Sequence, residues 1–329
     1  MKTLLVLLGP TGVGKTDLSI GIAKAFGTEI ISCDSRQIYK EMRIGTAVPS
    51  PGQLAAVRHH FIQTISVHDY YNSWQFEVQA LERIRELFQE KEVVLMTGGS
   101  MLYIDAVCKG IDDIPTISPE LRTGLMEVYE REGLESIRQM LKELDPVFYG
   151  QVDLNNGKRV LHAVEVCCMA GVPYSSLRKN TPKDRGFRIV RIGLNREREE
   201  LYARIDRRVD IMMEQGLVDE VKRLKEMGCT RDMVAMQGLG YKEILDYLDG
   251  TISLGEAVYI IKRDTRHFAK RQLTWFKRER DVRFIAMDDG NAPWVKLQDG
   301  TGQPEDDQQK ILTYICNDYF GGRNKHGIE

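Results

Sequence analysis

Thr3-Leu4-Leu5-Val6-Leu7-Leu8 runs directly into Gly9-Pro10-Thr11-Gly12-Val13-Gly14-Lys15-Thr16, and Asp17 to Phe26 continues with apolar residues at helical spacing. The segment therefore reads as a buried strand, a glycine-rich loop and a helix. The loop fits G-x-x-x-x-G-K-[ST] in full and in the context that motif requires. Glycines let successive backbone N–H groups converge on phosphate oxygens, and the helix N-terminus adds a favourable dipole. Lys15 supplies charge neutralisation, and the Thr16 hydroxyl is a candidate ligand for Mg²⁺. All eight residues, Gly9, Pro10, Thr11, Gly12, Val13, Gly14, Lys15 and Thr16, are expected at a phosphate site.

Composition bounds the rest. A chain of 329 residues is long enough for one large α/β domain carrying a sizeable insertion. With 42% hydrophobic and 29% charged residues it falls outside the disordered, fibrous and membrane classes. The leading apolar run resembles a signal peptide, but it is short and stops at Gly9-Pro10, and no other run approaches the roughly 20 residues that span a bilayer. A cytoplasmic protein with no membrane partner is the expectation. The six cysteines show no C-x-x-C pairing and no His at zinc-ligand spacing, which predicts reduced, mostly buried thiols. The net charge of −2 is unevenly spread. Residues 262–283 are strongly basic, with Arg280 among them, and Asp288 to Asp307 is acidic. Such a run is usually a solvated helix face.

Further strands are expected at residues 29–33, 93–97, 187–194 and 282–286, and helices at Ser73 to Glu90, 197–227 and 255–280. Ser118-Pro119-Glu120 starts a helical stretch through Met140, another spans Lys158 to Ala170, and Gly171-Val172-Pro173 ends it. The expected fold is α/β: a P-loop NTPase-like parallel sheet flanked by helices, with an inserted helical subdomain. The core would comprise residues 1–114 and 187–287 and the insertion 115–186, leaving a tail at 288–329 with an amphipathic stretch around Ile311, Leu312 and Ile315.

At the end of the 93–97 strand, where an NTPase usually places a Walker-B Asp, stands Thr97-Gly98-Gly99-Ser100. This weighs against a motor ATPase or GTPase and leaves small-molecule kinases standing. Gly98-Gly99 would allow close backbone approach to a substrate, with the Ser100 hydroxyl beside it, or would simply form a turn. The other strand end, Ile30-Ile31-Ser32-Cys33-Asp34-Ser35-Arg36-Gln37, delivers a carboxylate near the loop. Asp34 is read as general base, metal ligand or helix cap.

These residues, together with Asp34-Ser35-x-Gln37-x-Tyr39, Ile44-Gly45-Thr46-Ala47, His59-His60, Gly98-Gly99-Ser100-x-Leu102-Tyr103, Gln237 to Glu243 and Ala269 to Phe276, resemble the tRNA dimethylallyltransferases from about residue 3 to residue 286. The resemblance implies transfer of a dimethylallyl group from dimethylallyl diphosphate to N6 of the adenosine just 3′ of the anticodon, position 37 of tRNA, with release of diphosphate. It implies Asp34 as base, Ser100 holding the amine or diphosphate oxygens, and Arg208, with Arg204, stabilising charge on the leaving group. It further implies that Asp34, Ser35, Arg36 and Gln37 read an adenosine flipped out of its stack, while Arg122, Lys158, Arg159, Val160, Leu161 and His162 contact RNA. Mg²⁺ as cofactor, a tRNA anticodon stem-loop as partner and a monomeric enzyme complete the expectation. In that light the 262–283 block, with Phe268, Trp275 and Phe276 interleaved, reads as RNA-facing, although aromatics at this spacing are more often core.

The sequence departs from the family at Val48, where Lys is common, at Gln63, where Asp is common, and at His162, where Arg is common. All three bear on RNA affinity more than on chemistry. Three other readings share parts of the pattern: an adenylate isopentenyltransferase acting on free nucleotide, a small-molecule P-loop kinase, and a non-catalytic RNA-binding protein with a vestigial P-loop. The basic block and the helical insertion favour RNA over a free nucleotide, and intact Lys15 and Thr16 argue against a vestigial loop.

Overall fold

The computed structural model describes residues 1–179, 181–279, 281–287 and 315. The acidic stretch, the tail other than Ile315, and Arg280 lie outside the described residues. Strand β1 (Thr3–Leu8) is buried along its whole length, and its side chains alternate between two apolar layers. Leu4, Val6 and Leu8 join one layer, Leu5 and Leu7 the other. A strand covered on both faces reads as an unbroken apolar run, and each such leucine contributes about 1.5–3 kcal/mol on burial.

The chain continues through α1 (Lys15–Ala25), β2 (Ile30–Ser32), α2 (Pro51–Ala56), β3 (His59–His60), α3 (Ser73–Glu90), β4 (Val93–Gly98) and α4 (Met101–Cys108). It then forms α5 (Pro119–Glu132), α6 (Leu134–Leu144), α7 (Pro146–Tyr149), α8 (Gly157–Ala170) and α9 (Tyr174–Leu177). The last segment is β5 (Arg188–Asn195), α10 (Arg198–Glu214), α11 (Leu217–Glu226), α12 (Tyr241–Leu248), α13 (Leu254–Phe276) and β6 (Val282–Ala286). The described strands make one six-stranded parallel sheet in the order β3-β2-β4-β1-β5-β6. The α/β fold class expected from sequence is the one observed. Because β4 lies between β1 and β2, the Asp34 segment is one strand further from the phosphate loop than simple strand succession suggests. Ligands of such sheets collect at the carboxyl ends of the strands, where the connections diverge.

Residues 1–108 and the chain from Arg185 onward make one compact unit, and Lys109–Asp184 a second. The sequence reading sets these boundaries at 115 and 186. The second unit has its own core, with Leu125 from α5, Ile137 and Leu141 from α6 and Val160, Leu161 and Val164 from α8. The stretch expected as one helix through Met140 breaks at Gly133, whose φ is 81°, and the one expected over 197–227 breaks at Gly216, with φ 93°. Side-chain caps mark true starts elsewhere: Asn72 for α3, Ser118 for α5, Asn156 for α8 and Ser253 for α13. Cys33, Cys108, Cys167 and Cys229 are buried free thiols, and Cys168 is exposed. No helix among the described residues is long and apolar enough to cross a membrane.

Arg185 anchors the start of the returning segment. Its guanidinium is buried, donates to the carbonyls of Ala106 (2.5 Å) and Val107 (2.8 Å), and pairs at 2.7 Å with the buried carboxylate of Glu77 on α3. Removing one member of such a pair strands the other charge. Arg185→Met is expected to cost about 3–5 kcal/mol in urea unfolding, and combining it with Glu77→Met should recover much of that loss.

Candidate active site

Gly12 and Gly14 adopt left-handed φ values of 83° and 107°, which glycine alone takes without steric cost, and Gly14 sits at the N-terminal cap of α1. Four of the loop's carbonyls are held by cationic side chains. Lys15 Nζ donates to the Gly9 and Pro10 carbonyls, both at 2.8 Å. From α10, Arg204 Nε donates to Gly12 O at 2.9 Å, and just before that helix the buried Arg196 donates to Val13 O at 2.9 Å. Arg208 reaches the Thr11 hydroxyl at 3.3 Å. The first amides of α1 have no carbonyl partner within the helix, so those of Lys15 and Thr16 are presented to an anion.

Gln272 on α13 closes the frame. It is 2% exposed, its Oε1 accepts from the Thr11 N–H at 2.9 Å, and its Nε2 donates to Gly99 O at 2.8 Å. The phosphate loop and the end of β4 are thereby tied through one amide. A Cβ at Gly99 would stand 2.4 Å from Gln272 Nε2, and one at Gly98 2.6 Å from Cys33 Sγ. The Gly98-Gly99 pair is therefore required by close packing inside the protein, where the sequence reading left substrate approach or a simple turn open.

Asp34 follows β2. Its Oδ1 accepts the N–H groups of Arg36 (2.8 Å) and Gln37 (3.2 Å), the capping geometry that is one of its three sequence readings. Its Oδ2 makes no hydrogen bond among the described residues and remains available as a base or metal ligand. Ser100 Oγ accepts from the Ser35 N–H at 2.8 Å and donates to Ser35 Oγ at 3.1 Å, so its first role is to stitch the ends of β2 and β4 together. One lone pair is left for a ligand.

Thr11, Gly12, Gly14, Lys15, Thr16, Asp34, Ser35, Arg36, Gln37, Ser100, Arg204 and Arg208 all line one cavity of about 590 Å³, as does Val48. Gly9, Pro10 and Val13 are buried and shape the loop from beneath. Burial, reinforced by Arg208, lowers the Lys15 pKa to about 8, and Asp34 only partly opposes this. Burial and Arg204 likewise lower the Arg208 pKa. Both shifts describe cations crowded out of water with too little negative charge beside them. Burial pushes the Cys33 thiol up, so it is an inert neighbour. A smaller cleft of about 290 Å³ around Arg198, Tyr202 and Lys277 contains none of these groups.

The helical unit corrects part of the sequence reading. Lys158, Arg159 and His162 are exposed on α8, but Val160 is fully buried and Leu161 is 8% exposed in the unit's core. Their side chains hold the helix and are not presented to RNA. Arg122 forms a two-pronged pair with Glu165 at 2.9 and 3.1 Å, and His162 reaches the same carboxylate at 3.4 Å. Burial raises the Glu165 pKa, yet hydrogen bonds from His162 and Arg122 outweigh it and hold the carboxylate below its usual range. The basic block divides in the same way. Lys262 pairs with Asp210 at 2.6 Å and Arg266 with Asp206 at 2.6 and 2.8 Å, so these two cations fasten α13 to α10. Phe276 is core, while Lys270 and Arg271 stay exposed and Arg271, with Phe268, borders the cavity.

A family model described as IPP transferase matches residues 37–279. The chain belongs to the IPP transferase family. It is 52% identical over 313 residues to tRNA dimethylallyltransferase 2 of Porphyromonas gingivalis, covering 95% of this chain and 98% of that one. It is 50% identical over 297 residues to tRNA dimethylallyltransferase 2 of Parabacteroides distasonis, covering 90% and 98%. Among solved structures, a eukaryotic dimethylallyltransferase acting on tRNA superimposes with TM-score 0.78 at 26% identity, covering 98% of this chain and 80% of that one. The full-length tRNA isopentenylpyrophosphate transferase of Bacillus halodurans gives TM-score 0.66 at 33% identity, covering 96% of each. Like the other proteins of this IPP transferase family, the chain is a prenyl-transferring transferase. Arg196 and Gln272 act on the loop from far along the chain. The Ala269–Phe276 block flagged Gln272 only as part of a pattern, and no local signal marked Arg196.

If Lys15 supplies charge to a diphosphate, Lys15→Ala removes one charge-assisted contact and should weaken donor binding about 10- to 100-fold. Thr16→Ala should reduce the dependence of that binding on Mg²⁺. RNA affinity measured without donor should stay unchanged in both, as read by calorimetry and filter binding.

Proposed function

We infer that this protein transfers a dimethylallyl group from dimethylallyl diphosphate to N6 of the adenosine 3′ of the anticodon in tRNA, in the cytoplasm. The observation that carries this reading is the convergence on one cavity of a phosphate loop, the cations Lys15, Arg204 and Arg208, and a carboxylate with one oxygen uncommitted. The loop amides and the cations bind the diphosphate and take up the charge that grows on it as the allylic C–O bond breaks. The adenine amine is a weak nucleophile because its lone pair is delocalised into the ring. As the N6–C bond forms, Asp34 accepts the N6 proton, and diphosphate leaves.

Thr16 offers a hard oxygen donor of the kind Mg²⁺ takes, and no group of three or more His, Cys, Asp or Glu among the described residues forms a protein cage. An Mg²⁺ held there would neutralise part of the leaving-group charge. RNA approaches through sequence-independent contacts, for which exposed Lys158, Arg159 and His162, together with Arg122, are proposed.

Incubation with unmodified tRNA, labelled dimethylallyl diphosphate and Mg²⁺ should carry label into RNA with no consumption of ATP. Label reaching only free AMP would instead favour the adenylate reading, and ATP turnover the kinase reading. Asp34→Asn keeps the Oδ1 acceptor for the Arg36 and Gln37 amides, so the turn survives, and should lower the single-turnover rate about 10²- to 10⁴-fold with diphosphate affinity intact. Removing Lys158 and Arg159 together should reduce the log–log salt slope of tRNA binding by about 1.4, at roughly 0.7 per lost phosphate contact on single-stranded RNA. An unchanged slope in filter binding would mean these two side chains form only a solvated face.

A further inference from the structure

Gly45, Thr46, Ala47, Val48 and Pro49 form a wall of the cavity outside any helix or strand. Ala47 has a left-handed φ of 52°, which costs a non-glycine residue about 1–2 kcal/mol. Such a conformation persists only where its surroundings enforce it. The residues that lead into Ala47 are held by Glu220 of α11, which is 3% exposed. Its Oε2 accepts the N–H groups of Arg43 (3.0 Å) and Ile44 (2.8 Å), and its Oε1 accepts the Gly45 N–H (3.1 Å) and the Tyr241 hydroxyl (2.7 Å). Four donors replace water around a buried carboxylate, the condition under which burying such a charge is tolerable.

Tyr241 seats the same turn by shape. A Cβ at Gly45 would lie 2.6 Å from its ring carbons, so glycine is needed for the turn to rest on the ring. Burial and the adjacent Glu220 charge push the phenol well above its usual pKa, so it remains a donor. The turn in turn fixes Gln37, whose Nε2 donates to the carbonyls of Thr46 (3.1 Å) and Ala47 (3.0 Å). Two carbonyl partners require the NH₂ end of the amide there, which dictates its orientation. The Gln37 backbone N–H donates to Asp34 Oδ1, so the chain of contacts ends at the proposed base.

We propose that Glu220, with Tyr241, is a positioning residue for the acceptor base: it sets the 43–47 turn, and the turn sets Gln37 and the edge of the cavity where the base is received. This role rests on the reading of the cavity as the meeting place of an RNA base and a diphosphate donor. Apolar packing would fill the position without burying a charge, whereas a carboxylate with four donors specifies one backbone course.

Steady-state transfer of label from dimethylallyl diphosphate to an unmodified anticodon stem-loop, with donor affinity by calorimetry and urea unfolding on each variant, tests the role. Glu220→Gln turns an acceptor into an NH₂ group facing backbone N–H donors and should raise KM for the RNA about 10- to 100-fold, the penalty expected of a misplaced binding group, with donor Kd unchanged. Tyr241→Phe should move KM in the same direction by less. Gly45→Ala displaces the turn with Glu220 intact and should reproduce the KM effect. If Glu220→Gln and Gly45→Ala lower only the folded fraction and leave KM for RNA unchanged, Glu220 serves stability alone and the proposal falls. A wild-type protein that moves no label to RNA overturns the functional reading and this role together, whereas wild-type transfer with an unaltered Glu220→Gln KM overturns only the role.

Discussion

Lys15, Arg204 and Arg208 face one glycine-rich loop whose helix-start amides carry further positive potential, and Asp34 in the same cavity partly opposes the charge at Lys15 and Arg208. Like charges held out of water repel strongly, because the interior screens them far less than solvent does. Burial first, and that repulsion second, lower the pKa values of Lys15 and Arg208. An anion with several negative oxygens relieves it, and a diphosphate leaving group has the charge and the span to do so. The phosphate loop is thus a strained cationic cradle, and much of the fold serves to hold it.

The holding is done from a distance. Arg196, just after β5, and Arg204 on α10 secure carbonyls of the loop, and Gln272 on α13 bridges the loop to the end of β4. The Asp206–Arg266 and Asp210–Lys262 pairs tie together α10 and α13, the two helices that carry Arg204 and Gln272. On the far wall Glu220 and Tyr241 do the same for the 43–47 turn, whose Thr46 and Ala47 carbonyls hold the Gln37 amide. Fixed dipoles and charges need little rearrangement as charge builds on a leaving group, which is how preorganised sites lower barriers.

Five of the six described strands, the loop and Asp34 were legible in the sequence because each is a local pattern: an apolar run, glycines before Lys-Thr, a carboxylate at a strand end; the two-residue β3 at His59–His60 is too short to show one. The clamps were not, since Gln272 meets Gly99 across 173 positions and Glu220 meets Ile44 across 176. The errors have the same origin. Val160 and Leu161 sit in a basic segment, but a helix sends neighbouring residues to different faces, and these two face the core. Within the basic block on α13, the pairing of Lys262 and Arg266 was hidden because their carboxylates, Asp210 and Asp206, lie on another helix, a relation that no window along the chain displays.

The claim that the cation cluster is built to be completed by a diphosphate is tested most directly by counting protons. Calorimetric titration of dimethylallyl diphosphate at pH 8, in buffers of different ionisation enthalpy, reads the net proton change on binding. With the free Lys15 pKa at about 8 and the anion raising it, the wild type should take up about half a proton, and Lys15→Met should take up none. Binding with no uptake in the wild type, or the same uptake after Lys15→Met, would contradict the account.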